Sequence, residues 1–185
     1  MESSEFSPTG FFDVTFIAKG AFGSVFQAKH KNHPKKLFAV KQMTASDEED
    51  HLKIEKEIRN LQTLNVLNPK PKAIPIFYGF YKEGLANNCY NLIFDFFPKS
   101  LLDVKSNKRF PFQVLIQIFE SIVNSLAFLQ TLGICHRDLK PGNLLFNEEN
   151  KQIYLIDFRE SKENNRGSRK NQKRTHNSRI SFIFL

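Results

Sequence analysis

The sequence has no tryptophan and only two cysteines among its 185 residues. Cys89 and Cys135 are too few for the disulfide framework that stabilises small secreted domains, so we expect both to be reduced thiols. No apolar run follows a basic N-terminal start, and none approaches the length of a membrane-spanning helix. We therefore expect no secretory signal and no transmembrane segment. Both absences favour a cytoplasmic location, with a nuclear location as the alternative.

Acidic residues are scarce near the end of the sequence. Residues 161–185 contain seven lysines and arginines against the single acid Glu163, so this segment carries +6 of the net charge of +8. We expect a solvated, disordered basic tail. Its cations also suit contact with nucleic acid or an acidic membrane surface, because they neutralise phosphate charge. No aromatic residue interleaves the basic cluster, which argues against base stacking.

The preceding 160 residues are nearly neutral and are expected to form a globular domain. Hydrophobic residues make up 41% of the sequence, and phenylalanine occurs 20 times. The first part is predicted to be rich in β-strands, because Phe12, Val14 and Phe16 alternate before a turn that contains Gly20 and Gly23. Glycines in such a turn let backbone amides approach phosphate oxygens without interference from a Cβ atom.

A helix is predicted to follow a short strand at residues 37–41. Ser46 and Glu49 have the spacing of a capping box, and apolar residues then recur with helical spacing as far as Leu64. Further elements are predicted in chain order: strands at 74–81 and 90–97, a short helix at 101–105, a long helix at 111–132 and a last strand at 153–156. The long helix is apolar most of the way round, which predicts burial on most sides.

An acid, a cation and a carboxamide lie close together on the loop that follows the long helix. Asp138 can accept a proton, Lys140 can bind a phosphate, and Asn143 can ligate a metal ion. A short loop can place these three groups within a few ångströms of one another. This combination predicts a phosphotransfer site.

Residues 136–143 read H-R-D-L-K-P-G-N and resemble the catalytic loop of eukaryotic protein kinases, H-R-D-L-x-x-x-N. The glycine turn, the apolar run that ends at Lys41, and the D-F-R sequence that begins at Asp157 resemble further kinase motifs in the same order. Lys140, two residues after Asp138, resembles the serine/threonine branch of the family. The resemblance covers about residues 11–159.

The resemblance implies a fold class and a division of the chain. We expect an α+β, protein-kinase-like two-lobed fold, with a β-rich N-lobe that carries one αC helix and a partial helical C-lobe. The expected boundaries are 1–97 for the N-lobe, 98–160 for the partial C-lobe with the catalytic loop and D-F-R, and 161–185 for the basic tail.

The resemblance also implies a role for each residue of the phosphotransfer site. Asp138 would accept or orient the proton of the substrate hydroxyl, and Lys140 would steady the transferred phosphoryl group. Asn143 and Asp157 would ligate Mg²⁺ through their oxygens. Lys41 would hold the α- and β-phosphates of ATP.

Nucleotide-binding residues are assigned in the same way. Glu57 would pair with Lys41, with Glu55 as the competing choice on the same helix. Phe94 would close the back of the adenine pocket, and the backbone of Asp95 and Phe97 would hydrogen-bond the adenine. The residues assigned to ATP binding are Ala18, Gly20, Gly23, Val25, Ala39, Lys41, Glu57, Asp95, Phe97 and Leu145.

The implied activity is that of an ATP-dependent protein serine/threonine kinase, which transfers a phosphoryl group from Mg-ATP to a protein hydroxyl. Departures from the family motifs favour an alternative, an ATP-binding pseudokinase or regulatory fragment without turnover. Ala18 stands where the first loop glycine is usual, and Arg159 replaces the glycine of D-F-G. The second change costs about 1–2 kcal/mol if that position needs a left-handed backbone.

No A-P-E motif follows D-F-R in the sequence. We therefore expect a C-terminally truncated domain whose long helix exposes an apolar stripe. Such a stripe favours marginal stability and aggregation. The identity of the protein substrate is not predicted, because specificity largely resides in the segment expected to be missing.

Overall fold

The computed structural model describes residue 6 and residues 8–20, 23–67, 74–84, 88–105 and 110–158, together with the backbone of residues 162 and 163. The first part of the chain forms a five-stranded antiparallel sheet with the order β1-β2-β3-β5-β4. Its strands are β1 (Phe11–Gly20), β2 (Gly23–His30), β3 (His33–Thr44), β4 (Phe77–Glu83) and β5 (Cys89–Asp95). Since β5 lies between two neighbours, its residues 90–93 are buried.

The helix α1 (Glu48–Leu67) follows the third strand and contacts β4. Its buried face is formed mainly by Ile54, Ile58, Leu61 and Leu64, which recur at helical spacing. The helix ends at Leu67, two residues before a proline that could not continue it.

The cap of α1 differs by one residue from the sequence prediction. The backbone N–H of Asp50 donates to Oδ1 of Asp47 at 2.8 Å, and the backbone N–H of Ser46 donates to the Asp50 carboxylate at 3.3 Å. Asp47 rather than Ser46 is therefore the N-cap, with Asp50 rather than Glu49 three residues later, and the Asp50 carboxylate reaches back to the residue before the cap. Both pairs have the same spacing, so the pattern alone does not choose between them.

In the second part of the chain, the described residues form two α-helices and two short β-ladders. Its elements are α2 (Leu101–Lys105), α3 (Phe112–Thr131), β6 (Ile134–Cys135), β7 (Leu144–Asn147), β8 (Gln152–Leu155) and β9 (Lys162–Glu163). β7 pairs with β8, and β6 pairs with β9. Gly133 ends the long helix with φ of 71°, the left-handed conformation that suits glycine at this position.

Two residues of the segment expected to be a disordered tail form β9. Glu163 lies opposite Ile134, and Lys162 lies opposite Cys135. The strand predicted at residues 153–156 is therefore not the last one. Arg159 and residues 164–185 lie outside the described residues, so the predictions made for them stay predictions.

One side of α3 is attached to the rest of the molecule. Ser121 Oγ accepts the backbone N–H of Ile153 at 2.8 Å, which ties the helix to β8. The opposite side is exposed and apolar, as the sequence predicts for a stripe on this helix. It consists of Phe112, Leu115, Ile116, Phe119 and Val123.

Contrary to the sequence prediction, α3 is long and apolar enough to cross a membrane by length and composition. This is weak evidence of a span, because the core helix of a soluble protein passes the same test. Only 17% of its most apolar window is buried, so the helix also departs from the prediction of burial on most sides.

A continuous apolar core joins the sheet, α1 and the helical part. It contains Met43 and Leu92 from the sheet, Leu61 from α1, and Leu155 and Phe158 from the second part. The predicted α+β class is therefore confirmed, with a β-rich first part and a more helical second part. This shared core holds the two parts against each other where the candidate site lies.

Candidate nucleotide and phosphotransfer site

A cavity of about 450 Å³ lies between the five-stranded sheet and the second part of the chain. Of the residues predicted to act, those that line it are Ala18, Gly20, Gly23, Val25, Ala39, Lys41, Glu57, Phe94, Asp95, Phe97, Lys140, Asn143, Leu145 and Asp157. Asp138 does not line the cavity itself but bonds to two residues that do. The fold therefore brings residues from seven different segments to one site.

The glycine turn joins β1 to β2 at the mouth of the cavity. Gly20 lies opposite Gly23, and a Cβ atom on Gly20 would have its nearest contact, Gly23 O, at 3.9 Å. Gly23 is constrained for another reason: it has φ of 143°, and a Cβ atom there would lie 2.0 Å from the carbonyl oxygen of Gln42. Of these two glycines, Gly20 has the open surroundings that a phosphate needs for close approach. Gly23 is instead required by the packing of β2 on β3.

Lys41 lies at the centre of an ion-pair network inside the cavity. Its Nζ is 2.8 Å from Oε1 of Glu57 on α1 and 3.2 Å from Oδ1 of Asp157. Burial alone would lower the pKa of Lys41, but the charges of the two carboxylates outweigh burial and raise the pKa above its usual value. The ammonium group therefore stays charged and is fixed between two elements of the site.

Lys41 pairs with Glu57 and not with the alternative acid Glu55. Glu55 lies on a different side of α1, 3.8 Å from Lys82 and 3.9 Å from Arg59. The Glu57 side chain is only 2% exposed, and its second oxygen, Oε2, has no hydrogen-bond partner among the described residues. A buried carboxylate is costly without an opposite charge, so Lys41 is needed to compensate Glu57.

The predicted catalytic loop forms a tight set of charge-assisted hydrogen bonds. Oδ2 of Asp138 accepts from Nζ of Lys140 at 2.7 Å and from Nδ2 of Asn143 at 2.9 Å. The amide nitrogen of Asn143 also donates to the backbone oxygen of Asp138 at 2.9 Å. The bond from Lys140 is the main reason that the pKa of Asp138 lies below its usual value. Asp138 is therefore ionised at neutral pH and can accept a proton.

The donor set at the inner end of the cavity fits a hard divalent cation. The bonds to Asp138 use the side-chain nitrogen Nδ2 of Asn143, which leaves its side-chain oxygen Oδ1 as a ligand atom. Asp157 supplies a carboxylate and lines the same cavity. Mg²⁺ takes oxygen ligands, commonly one or two from protein side chains with the rest from phosphates and water. No cluster of three or more histidine, cysteine or acidic residues suited to a metal occurs within the described residues.

His136 connects the catalytic loop to the segment that carries Asp157. Its Nδ1 accepts the backbone N–H of Asp138 at 3.3 Å, and its Nε2 donates to the carbonyl oxygen of Ile156 at 2.9 Å. These partners require the neutral imidazole protonated at Nε2. Burial lowers the pKa of His136, and its ring packs at 5.1 Å on Phe158. The residue therefore positions the site and is not placed to act as a base.

Backbone strain occurs at this same junction. Arg137 and Asp157 adopt φ of 71° and 70°, a left-handed conformation that is unusual for residues other than glycine. The carbonyl oxygen of Asn143 accepts the N–H of Ile156 at 3.1 Å, which holds the two strained segments together. Such strain persists only where surrounding bonds determine the conformation, and it is common at functional sites.

The outer part of the cavity is apolar and suits a planar ring. Val25, Ala39 and Leu145 line it from the two parts of the chain. Phe94 packs against Phe77 with ring centroids 5.3 Å apart. A flat, apolar slot between two parts of a protein is the usual surrounding of a nucleobase or similar ligand.

The hinge segment, residues 94–98, forms the edge of this slot. The backbone N–H of Asp95 already donates to the carbonyl oxygen of Ile76 at 3.1 Å. Since this N–H is already used, Asp95 would make the adenine contact that the family resemblance assigns to its backbone through its carbonyl oxygen. The Phe97 ring stacks on Tyr154 at 4.5 Å, which holds the segment against β8.

The sequence analysis assigned no role to the residues that follow the hinge segment in the chain and form the rim of the cavity. Lys99, Ser100 and Asp103 line this rim. The Asp103 carboxylate accepts from the backbone N–H of Ser100 at 2.8 Å and from its hydroxyl at 2.6 Å, which caps α2. The S-x-x-D spacing was the available signal, since it is typical of a helix start.

Comparison with known proteins agrees with this geometry. The family model described as the protein kinase domain matches residues 12–179. The match extends past Arg159, where the resemblance of the motifs ends, and includes much of the basic segment. The interferon-induced, double-stranded RNA-activated protein kinase of Rattus norvegicus is 30% identical over 163 residues. The alignment covers 80% of this chain and 31% of that protein, so the chain spans less than a third of the relative's length. Since the family model matches far more than half of the chain, this chain belongs to the protein kinase family.

Proposed function

We propose that the chain binds Mg-ATP and transfers its terminal phosphoryl group to a serine or threonine hydroxyl of a protein. One observation carries the proposal: the Lys41–Glu57–Asp157 network and the Asp138–Lys140–Asn143 set lie at the same cavity. Phosphoryl transfer depends mainly on positioning and on neutralising charge, and these two sets provide both.

Each set has a distinct task in this proposal. Lys41 binds the α- and β-phosphates, because Glu57 fixes its ammonium group and its raised pKa keeps it charged. Asn143 and Asp157 would hold the metal, which would supply positive charge to neutralise the phosphates. Binding of phosphate and metal would compete with the contact between Lys41 and Asp157 at 3.2 Å.

The acceptor hydroxyl is oriented by the catalytic loop. Asp138 is ionised, so it can accept a hydrogen bond from the hydroxyl and take its proton as the new bond forms. Lys140 lies 2.7 Å from the same carboxylate and is exposed, so its ammonium group can also reach the transferred phosphoryl group. The preference for serine and threonine rests on the resemblance of Lys140 to that branch of the family.

A nucleotide-binding role without turnover is the second candidate. Arg159 in place of the D-F-G glycine favours it, because Asp157, two residues earlier, already has a strained backbone. Both candidates share the ATP site and differ in whether Asp138 acts. The direct test is transfer of the γ-phosphoryl group from Mg-ATP to mixed serine-, threonine- and tyrosine-containing peptides.

Asp138→Asn should reduce this transfer by at least 100-fold, because it removes the proton acceptor but keeps the shape of the side chain. Asp13→Asn is the matched control, since Asp13 is exposed on β1 and makes an ion pair with Lys29 away from the cavity. The control should transfer at the wild-type rate. Equal incorporation by wild type and Asp138→Asn would favour the role without turnover, and phosphotyrosine as the main product would overturn the serine/threonine assignment.

We also propose contacts for the basic segment and a cellular location for the chain. Residues 164–185 lie outside the described residues, and the seven cations of residues 161–185 are the basis for proposed contact with an acidic surface or nucleic acid. Such contact should weaken steeply as salt is raised, because it depends on counterion release. A cytoplasmic location, with a nuclear alternative, is proposed from the sequence.

A further inference from the structure

The Asp95 carboxylate is held from both neighbouring strands of the sheet. Lys36 of β3 places its Nζ 2.9 Å from Oδ1 of Asp95, and the Tyr78 hydroxyl of β4 donates to the same oxygen at 2.8 Å. Lys36 also contacts the Tyr78 hydroxyl directly. These three residues, Lys36, Tyr78 and Asp95, are called the hinge clamp below. Asp95 lines the nucleotide cavity, whereas Lys36 and Tyr78 do not.

A β-bulge directs Tyr78 toward Asp95. Phe77 pairs with Phe94 and Gly79 pairs with Ile93, so Tyr78 is the extra residue at this shift in register. Gly79 adopts φ of 130°, a conformation that glycine permits. Bulges bend a strand and change the direction of a side chain, and they are frequent next to active sites. The local geometry that places the hydroxyl is therefore built into the strand.

Tyr78 is also fixed by its packing. Its ring lies 5.6 Å from Phe6 and 5.4 Å from Phe38, both of which are almost fully buried. In addition to its contact with the hydroxyl, the Lys36 ammonium group lies 4.5 Å from the centre of the Tyr78 ring. A side chain held by this many contacts has little rotational freedom, so its hydroxyl is pre-organised for the bond to Asp95.

We propose that Tyr78 and Lys36 are positioning residues for nucleotide binding, because they fix Asp95 and with it the backbone of the hinge segment. This inference rests on the proposed function and names residues outside the predicted nucleotide contacts. The backbone of Asp95, to which the family resemblance assigns a contact with adenine, belongs to the residue whose side chain is clamped, and Asp95 lines the cavity. Releasing the clamp lets the hinge segment shift, and a small shift weakens nucleotide binding without touching Asp138.

The contribution of Tyr78 should exceed that of Lys36. The Lys36 side chain is 42% exposed, so its ion pair is screened by solvent. Tyr78 is only half-buried, yet burial raises the pKa of its hydroxyl, which therefore remains a neutral donor at working pH. Hydrogen bonds to a charged acceptor contribute more than bonds between neutral groups.

The test compares Tyr78→Phe with Tyr81→Phe in the 185-residue chain. Both substitutions remove one hydroxyl from β4, and both tyrosines pack beside the same buried cluster. Among the described residues, Tyr81 makes no hydrogen bond to Asp95, which makes it the matched control. Calorimetric titration with Mg-ATP should show about three- to tenfold weaker binding for Tyr78→Phe, which is less than the full contribution of a hydrogen bond to a charged group because the hydroxyl acts on binding only through the hinge segment. Binding by Tyr81→Phe should equal that of wild type.

A double variant separates positioning from a general loss of structure. If Tyr78 acts through Asp95, then Asp95→Ala and the combined Asp95→Ala/Tyr78→Phe variant should bind Mg-ATP equally weakly, because the bond is absent in both. The KM for ATP should rise in Tyr78→Phe while kcat changes less than twofold.

Each of three outcomes would overturn the proposed role of the hinge clamp. Equal binding by Tyr78→Phe, Tyr81→Phe and wild type overturns the clamp but leaves the proposed function intact. Additive losses in the double variant also overturn it, because Tyr78 would then act by another route. A wild-type chain that binds no Mg-ATP overturns the proposed function and the clamp together.

Discussion

Lys41, Glu57 and Asp157 form one ion-pair network at the cavity. The free energy that it contributes depends on how deeply its charges are buried. Glu57 is only 2% exposed, so its charge is unfavourable unless Lys41 stays beside it. Asp157 adds a second carboxylate at 3.2 Å from the same ammonium group. The network therefore stabilises α1 against the sheet in the absence of any ligand, and it also holds a cation where phosphates would bind.

His136 gives the site a predicted dependence on pH. Burial lowers its pKa in the folded chain below the value of about 6.5 for an unfolded histidine. Below pH 6.5 the unfolded chain therefore binds more protons, which favours unfolding. The stabilisation that His136 contributes is present above pH 6.5 and is lost as the pH falls through the folded-state pKa.

Denaturant unfolding at pH 7.5 and pH 5.5 measures this effect. The wild-type free energy of unfolding should be lower at pH 5.5, and His136→Gln should show a smaller difference between the two pH values, because it cannot titrate. Contributions from other groups cancel when the two proteins are compared. A pH dependence that is identical in both proteins would show that His136 is not the titrating group.

Among the single elements, α1 offers a direct test, because the contribution of its N-terminal cap to stability can be measured by substitution. The Asp47 side chain accepts a backbone N–H of the first turn, whereas the hydrogen bond of Ser46 uses its backbone. Asp47→Ala should lower the free energy of unfolding by about 1 kcal/mol, the usual cost of losing an N-cap. Ser46→Ala should change it by less than about 0.5 kcal/mol.

Urea unfolding of these two variants checks the assignment of the cap, with the wild-type chain measured alongside. An equal loss in both variants, or a larger loss in Ser46→Ala, would show that the helix starts one residue earlier.

Most elements could be predicted from the sequence because their signals are local. The short helix has the predicted bounds, residues 101–105. The observed long helix is one residue shorter at each end than the predicted range 111–132. Gly133 ends that helix as expected for a residue with positive φ. Glu57 could be preferred over Glu55 because it shares a helix face with Ile58 and Leu61.

The elements that were missed depend on partners far away in the chain. The two-residue strand β9 exists through pairing with β6, about 28 residues earlier, and no local pattern marks it. The bulge at Tyr78 depends on the register between β4 and β5. The role of Gly23 in packing against Gln42 required β3 to be in place, although the glycine itself was identified.

At the scale of the whole molecule, the site exists because two parts of the chain close on one cavity. The sheet supplies the glycine turn and Lys41, the helix α1 supplies Glu57, and the second part supplies Asp138, Asn143 and Asp157. The shared core, which runs from Met43 to Phe158, holds these parts in register. Nucleotide binding should therefore stabilise the entire fold and not one part alone.

A thermal melt of the 185-residue chain with ATP, with and without Mg²⁺, tests this central claim most directly. ATP with Mg²⁺ at 100 times the dissociation constant should add about 2.7 kcal/mol of stability. For a chain of this size that is a rise in Tm of about 5–10 °C. Asp157→Asn should lose the Mg²⁺-dependent part of the rise. A cooperative melt that ATP does not move, with or without Mg²⁺, would contradict the account.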